Sequence, residues 1–256
     1  LCSTWNIRTP EISLFHVEQR HPTASRVPRG TSTTLWDPRT SVEPMNEPGS
    51  PSNGPRPTPR IIAMANQKGG VAKTTSTVNL AAALKEQGKR VLVVDLDPQS
   101  NLTMSFGVDP EQLEQSMFDV LVHRLPITEV IHHREVDVAV SSIDLAGAEL
   151  ALSSAIGRER ALEKAFAPIK NDYDYILIDT PPSLGLLTIN AFTASSGVIV
   201  PVQCEYLSLR GLVQLESTLQ MIRENLNANV KIEGILPTMV DKRTVHAREA
   251  LQLLTA

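Results

Sequence analysis

The segment Lys68-Gly69-Gly70-Val71-Ala72-Lys73-Thr74-Thr75 sets two lysines, two glycines and two adjacent hydroxyls side by side. The apolar run Ile61-Ile62-Ala63-Met64-Ala65 precedes it and Ser76-Thr77-Val78-Asn79-Leu80-Ala81 follows. This order predicts a strand, a turn, and a helix opening at Lys73-Thr74-Thr75, the layout of a phosphate-binding loop. Free amides and the helix dipole favour an anion at such a helix start. Gly69 and Gly70 let the backbone approach a phosphate with no Cβ between them. Lys73 would reach the β- and γ-phosphates, and the Thr74 hydroxyl would ligate Mg²⁺.

Two other stretches end apolar runs in carboxylates. Arg90-Val91-Leu92-Val93-Val94-Asp95 leads into Leu96-Asp97-Pro98-Gln99-Ser100-Asn101. Tyr173-Asp174-Tyr175-Ile176-Leu177-Ile178-Asp179 leads into Thr180-Pro181-Pro182. Such continuous apolar runs predict strands buried on both faces, as in a parallel sheet. A carboxylate at a strand end can hold Mg²⁺ directly or through water. Asp-Thr-Pro-Pro is also good turn chemistry. Asp179 therefore gains its meaning from pairing with the lysine loop and with the Asp97 segment.

Alternating strand and helix signals predict an α/β fold. Right-handed crossovers would bring the loop and both acidic strand ends to one carboxyl edge of the sheet. Thr77–Gln87 reads as a helix closed by Gly88. Glu111–Val122 and Arg158–Ala167 also read as helices, and Leu207–Asn225 as an amphipathic one. Val136–Val140, Gly197–Val202 and Val230–Leu236 read as strands. Ser141–Glu149 reads as a strand-to-helix connection with Asp144 near the helix start. His132 and His133 read as exposed loop histidines rather than metal ligands. A last helix is expected to begin near Val245.

The chain has 256 residues and a formal charge of −4, which excludes a uniformly basic nucleic-acid binder. Its two cysteines, Cys2 and Cys204, lack metal-ligand spacing and suit a reducing compartment. No apolar run reaches membrane-spanning length. Residues 1–60 differ in kind: they hold ten of the 18 prolines, seven arginines, five acidic residues and no lysine. They are expected to form a disordered, proline-rich extension. Residues 61–256 are expected to form the ordered domain.

Beyond chemistry alone, Lys68-Gly69-Gly70-Val71-Ala72-Lys73-Thr74 resembles the deviant K-G-G-x-G-K-[ST] loop of the MinD/ParA ATPases. Its flanks, Asp97-Pro98-Gln99-Ser100-Asn101, Ser141–Glu149, Asp179-Thr180-Pro181-Pro182-Ser183 and Pro201-Val202-Gln203-Cys204-Glu205-Tyr206 resemble the ParA/Soj partition ATPases. The resemblance covers residues 61–256. It implies a three-layer P-loop NTPase of the SIMIBI type, with a mostly parallel twisted sheet flanked by helices. Members carry a further strand and helix after the point reached here, so an open apolar face and poor solubility are expected. Leu14–Gln19 can be back-translated into a near-palindrome resembling the centromere site of the family's partner. Part of the extension is thus expected to be a translated regulatory sequence, with Met45 nearer the start.

The resemblance also implies roles. ATP and Mg²⁺ are the cofactors. Lys68 crosses into a partner subunit, so hydrolysis requires an ATP-dependent homodimer. Thr75 lies beside the α-phosphate, and Pro181 belongs to the nucleotide-binding switch. Asp179 and Asp95 support the metal through water, and Asp97 orients the attacking water. Thr238 and Met239 contact the base, and Arg243 contacts DNA without sequence preference. A ParB-type centromere-binding protein stimulates hydrolysis, and the protein is cytoplasmic and nucleoid-associated with no membrane partner. Ala72 departs from the family glycine: either a tolerated variant or a nucleotide-impaired loop that leaves a non-hydrolysing scaffold. A MinD-like division-site ATPase shares the loop but needs an amphipathic terminal helix.

Overall fold

The computed structural model describes residues 58–204, 208–241 and 243. The expectations for residues 1–57 and for the helix near Val245 lie outside the described residues, as do Glu205 and Tyr206. The elements, in chain order, are β1 (Arg60–Met64), α1 (Lys73–Glu86), β2 (Val91–Asp95), α2 (Asn101–Ser105), β3 (Ile131–His132) and β4 (Asp137–Ala139). They continue with α3 (Ala148–Ala151), α4 (Ala161–Phe166), β5 (Tyr175–Asp179), α5 (Leu186–Ala194), β6 (Gly197–Gln203), α6 (Ser208–Asn225) and β7 (Lys231–Thr238).

The strands form one sheet in the order β3-β4-β2-β5-β1-β6-β7, with every pairing parallel except β3 with β4. The chain steps leftward from β1 through α1 to β2, and rightward from β5 through α5 to β6. Right-handed crossovers in opposite directions put α1 and α5 on opposite faces of the sheet. Strands β1 and β5 are neighbours. The crevice between their carboxyl ends is therefore the topological switch point, where open α/β sheets bind ligands. The phosphate-type loop follows β1, and Asp179 ends β5.

The core follows from composition. In β2 all five residues are buried, and in β1 and β5 all but the first. Gly88 closes α1 with φ +74°, the left-handed C′ position that glycine takes without strain. Its amide bonds the Lys85 carbonyl and that of Lys89 bonds Leu84, two of the carbonyls a helix end leaves over.

Four sequence expectations change. Glu111–Val122 is not one helix. A short 3₁₀ turn at Pro110–Gln112 is capped by Asp109, and a separate wide turn spans Asp119–His123. The break lies at Ser116, whose hydroxyl accepts the Phe118 amide while Asp119 accepts the Ser116 amide. That reciprocal cap starts a new turn where a continuing helix was expected. His132 lies in the short antiparallel strand β3, not in a loop. Helix α5 has no counterpart in the sequence reading, because Thr188, Asn190 and Thr193 are buried among its apolar residues and no amphipathic period marks it. Its buried Asn190 accepts the Leu162 amide and donates to Arg158 and Leu186 carbonyls, tying α5 to α4. Finally, β7 extends two residues further, to Thr238.

Candidate functional site

The loop after β1 is held from below. Asn66 donates to the Pro201 carbonyl on β6 (2.7 Å), and its Oδ1 accepts the Lys68 amide (3.0 Å). Gly70 takes φ +70° with open space around it, so its need for glycine is conformational rather than steric. Ala72 also sits in the left-handed region, at φ 65° and ψ 34°. This is the position where a glycine was expected, and the methyl makes the conformation costly by about 1 kcal/mol. Ala72→Gly is therefore expected to raise stability by about 1 kcal/mol and tighten ATP binding. Chemical denaturation and equilibrium ATP titration check both halves.

Helix α1 starts with no acidic residue in its first turn and no side-chain cap. Its first amides are left for an anion. Lys73 is buried (7% exposed) at that start. Burial holds its ammonium below the usual pKa, while Asp179 and Asp97 act in the opposite direction. A desolvated cation between carboxylates is a strong attractor for a phosphate.

Thr74 Oγ1 donates to Asp179 Oδ2 at 2.6 Å. Asp179 Oδ1 is buried and has no hydrogen-bond partner. Such an orphan costs free energy unless something positive meets it. A hydroxyl and an unpartnered carboxylate oxygen beside a helix start fit an oxygen-ligated cation carried by phosphates. Strand register sets Asp179 opposite both Met64 and Asp95. Burial, with Asp95 and Asp97 nearby, raises the Asp179 pKa to about 7 against the help of Thr74 and Lys73. Burial likewise raises Asp95 to about 6 despite three hydrogen bonds.

Both carboxylates are thus raised above their ordinary 3.8. A raised folded-state pKa contributes stability that is full below the unfolded value and lost as pH rises through the folded one. The nucleotide-free protein is expected to lose stability between pH 4 and pH 7, within the window set by values of about 6 and about 7. Asp174, held low chiefly by Arg90, acts only on the acid side of that window. Melting temperatures at pH 5.5 and pH 8, with Asp179→Asn as control, check the sign.

The other expected residues fall as follows. Asp97 is 8% exposed at the same sheet edge, and its Oδ1 accepts the Gln99 amide. Lys68 Nζ donates to Gln203 Oε1 at the end of β6 (2.8 Å). Thr75 is exposed on α1 and Val71 is buried. Thr238 Oγ1 donates to the Val71 carbonyl (3.1 Å), joining the end of β7 to the loop. Met239 follows it at φ 52° and is exposed. Pro181 is buried after Asp179, and its neighbour Pro182 lies within reach of Gly69. Asp95 is fully buried, with its oxygens taken by Asp97 and Thr103. Arg243 is exposed and is bound by Asp241 two residues before it. Sequence reasoning assigned no role to Asn66, Gln203 or Thr103, whose bonds to Pro201, Lys68 and Ser141 only the fold brings about.

Among the described residues no group of three or more His, Cys, Asp and Glu is arranged to hold a metal by protein ligands alone. Among the same residues no helix is long and apolar enough to cross a membrane.

Comparison with known proteins agrees with this geometry. A family profile described as "AAA domain" matches residues 59–232. The sporulation initiation inhibitor protein Soj of Bacillus subtilis is 51% identical over 72% of this chain and 74% of its own length. The chromosome partitioning protein ParA of Myxococcus xanthus is 43% identical, over 75% of this chain and 69% of its own. A solved structure from Mycobacterium smegmatis, named cobyrinic acid a,c-diamide synthase, contains an ATP analog and magnesium. It is 46% identical with a TM-score of 0.74, covering 77% of this chain and 82% of that one. From its loop, its strand-end carboxylates and these relatives, the chain belongs to the ParA/Soj family of P-loop proteins.

Proposed function

We propose that this chain is an ATP-hydrolysing partition protein, with residues 61–256 as its ATPase domain. One observation carries the reading: the buried, unpartnered Asp179 Oδ1 whose other oxygen holds Thr74, at the start of α1. Lys73 and the amides at Gly69–Thr75 bind and orient the phosphates. Thr74 and Asp179 would hold Mg²⁺, which would supply neutralisation of phosphate charge. Asp97 orients the water for in-line attack. Pro181, Thr238 and Met239 border the nucleotide. Ala72 weakens binding without abolishing it.

Lys68 is the residue that makes turnover depend on a second copy. Brought into the partner's site, it stabilises charge that develops in the transition state. The ATP-bound dimer binds DNA without sequence preference, Arg243 contributing, and a ParB-type centromere-binding partner stimulates hydrolysis. DNA affinity then falls steeply with salt.

The test is complementation between two inactive variants. Lys68→Ala lacks the lysine given to the other subunit, and Asp97→Asn lacks the carboxylate acting in its own. Each alone is expected to bind ATP and release almost no phosphate. Mixed equally, they form mixed dimers with one complete site, so activity returns to about a quarter of the intact value. No recovery on mixing sinks the lysine-in-trans reading. The M. smegmatis relative's name points to a second activity, amide formation. Phosphate release with Mg·ATP alone supports the partition reading. Release that needs an added carboxylic acid and a nitrogen donor supports the second.

A further inference from the structure

We propose that Thr103 and Ser141 are positioning residues for Asp97: with Asp95 they close a buried ring of hydrogen bonds that clamps the Asp97 peptide from both sides. The ring is complete in named contacts. The Asp97 amide donates to Asp95 Oδ1 (3.1 Å). The other oxygen of Asp95 accepts from the Thr103 amide (2.9 Å) and the Thr103 hydroxyl (2.8 Å). Thr103 Oγ1 in turn accepts from the Ser141 amide (2.9 Å). The Ser141 hydroxyl donates to the Asp97 carbonyl (3.0 Å), which closes the circuit.

The ring fixes its own polarity. Thr103 Oγ1 accepts a hydrogen bond from the Ser141 amide and donates its own proton to Asp95. Asp95 then has no donor role to play, and Asp97 keeps both backbone groups occupied. Asp95, Thr103 and Ser141 are each 0% exposed. Polar groups at that depth are costly unless every one is paired, and here every one is. The members come from three places: the tip of β2, the first turn of α2 and the second residue past β4. Strands β2 and β4 are hydrogen-bonded neighbours, which brings Ser141 under the Asp97 turn.

The consequence for chemistry lies in what remains free. The Asp97 backbone is held on both sides, and its Oδ1 is used by the Gln99 amide. Oδ2 is left for a water, on a side chain whose base is held. A carboxylate that orients a nucleophile needs that stillness, since a misplacement near 1 Å can cost about 100-fold in rate. The ring also gives Ser141–Glu149, a segment without an evident chemical role in the sequence, a connection to the site. Asp95, expected beside the metal, acts here through Asp97. The proposal rests on Asp97 being the water-orienting group.

The experiment uses the full chain at saturating Mg·ATP and reads turnover, ATP affinity and amide hydrogen exchange. Ser141→Ala and Thr103→Val are expected to lower turnover about 10- to 100-fold while ATP affinity stays within about twofold. Thr103→Ser, which keeps the hydroxyl, is expected to restore turnover to within about threefold. In the Asp97→Asn background the ring variants are expected to add nothing further. Exchange of the Asp97, Gln99 and Ser100 amides is expected to rise at least about tenfold, with those of β5 unchanged. Ring variants that leave turnover and exchange intact overturn the proposal, as do losses that add fully to that of Asp97→Asn. If Asp97→Asn itself turns over normally, the reading of Asp97 fails and takes this proposal with it. Should Thr103→Val not fold, Ser141→Ala carries the test, since it removes a single hydroxyl.

Discussion

Asp97→Asn is expected to lower ATP turnover by about 100-fold or more while leaving Mg·ATP binding intact or slightly tighter. The asparagine keeps the turn, because its Oδ1 still accepts the Gln99 amide that Asp97 accepts now. What it loses is the negative charge beside Lys73, where Asp97 already acts to raise the lysine's pKa. Losing that charge removes repulsion toward the phosphates, so affinity does not fall. It also removes the group that holds and polarises the attacking water. Rapid-quench hydrolysis and equilibrium ATP titration separate the two effects. A variant that loses binding and turnover together would place Asp97 in the binding cradle and not in the chemical step.

The second large effect concerns the metal. Asp179→Asn is expected to remove most of the gain in ATP affinity that Mg²⁺ brings, by about 10- to 100-fold. The reason is the unpartnered Oδ1, which the amide replaces either with a donor or with a weaker acceptor. The same change should make the nucleotide-free protein more stable near pH 8. There the native carboxylate, with its pKa near 7, is charged and buried. A neutral amide avoids that cost. Stability and metal response thus move in opposite directions, which a general loss of folding does not produce. ATP titrations with and without Mg²⁺, together with melting curves, give both readings.

Much of this site was legible before any coordinates. Lys73, Thr74 and Asp179 stand out by type, and the apolar runs before them predict buried parallel strands. Crossover handedness then does the rest, since it leaves little choice about which sheet edge they share. Gly88 marked the end of α1 for a local reason, its left-handed backbone. Other features were illegible for equally physical reasons. Ser116 and Asp119 break the expected helix by side-chain capping, which competes with a weak periodic signal. Helix α5 buries Thr188, Asn190 and Thr193 among its apolar residues, so no period marked it. Ser141 acts on Asp97 across 44 residues of chain, and only the pairing of β2 with β4 brings them together. Ala72 was recognisable as a departure, but its positive φ had to be seen.

The most direct measurement is calorimetric titration of the full-length chain with ATP, in the presence and absence of Mg²⁺, set beside Lys73→Ala. The expected result is one ATP per chain, bound more tightly with Mg²⁺, and a loss of about 100-fold or more when the buried lysine is removed. Equal affinity in the intact chain and in Lys73→Ala, with no response to Mg²⁺ in either, contradicts a nucleotide site built from Lys73, Thr74 and Asp179.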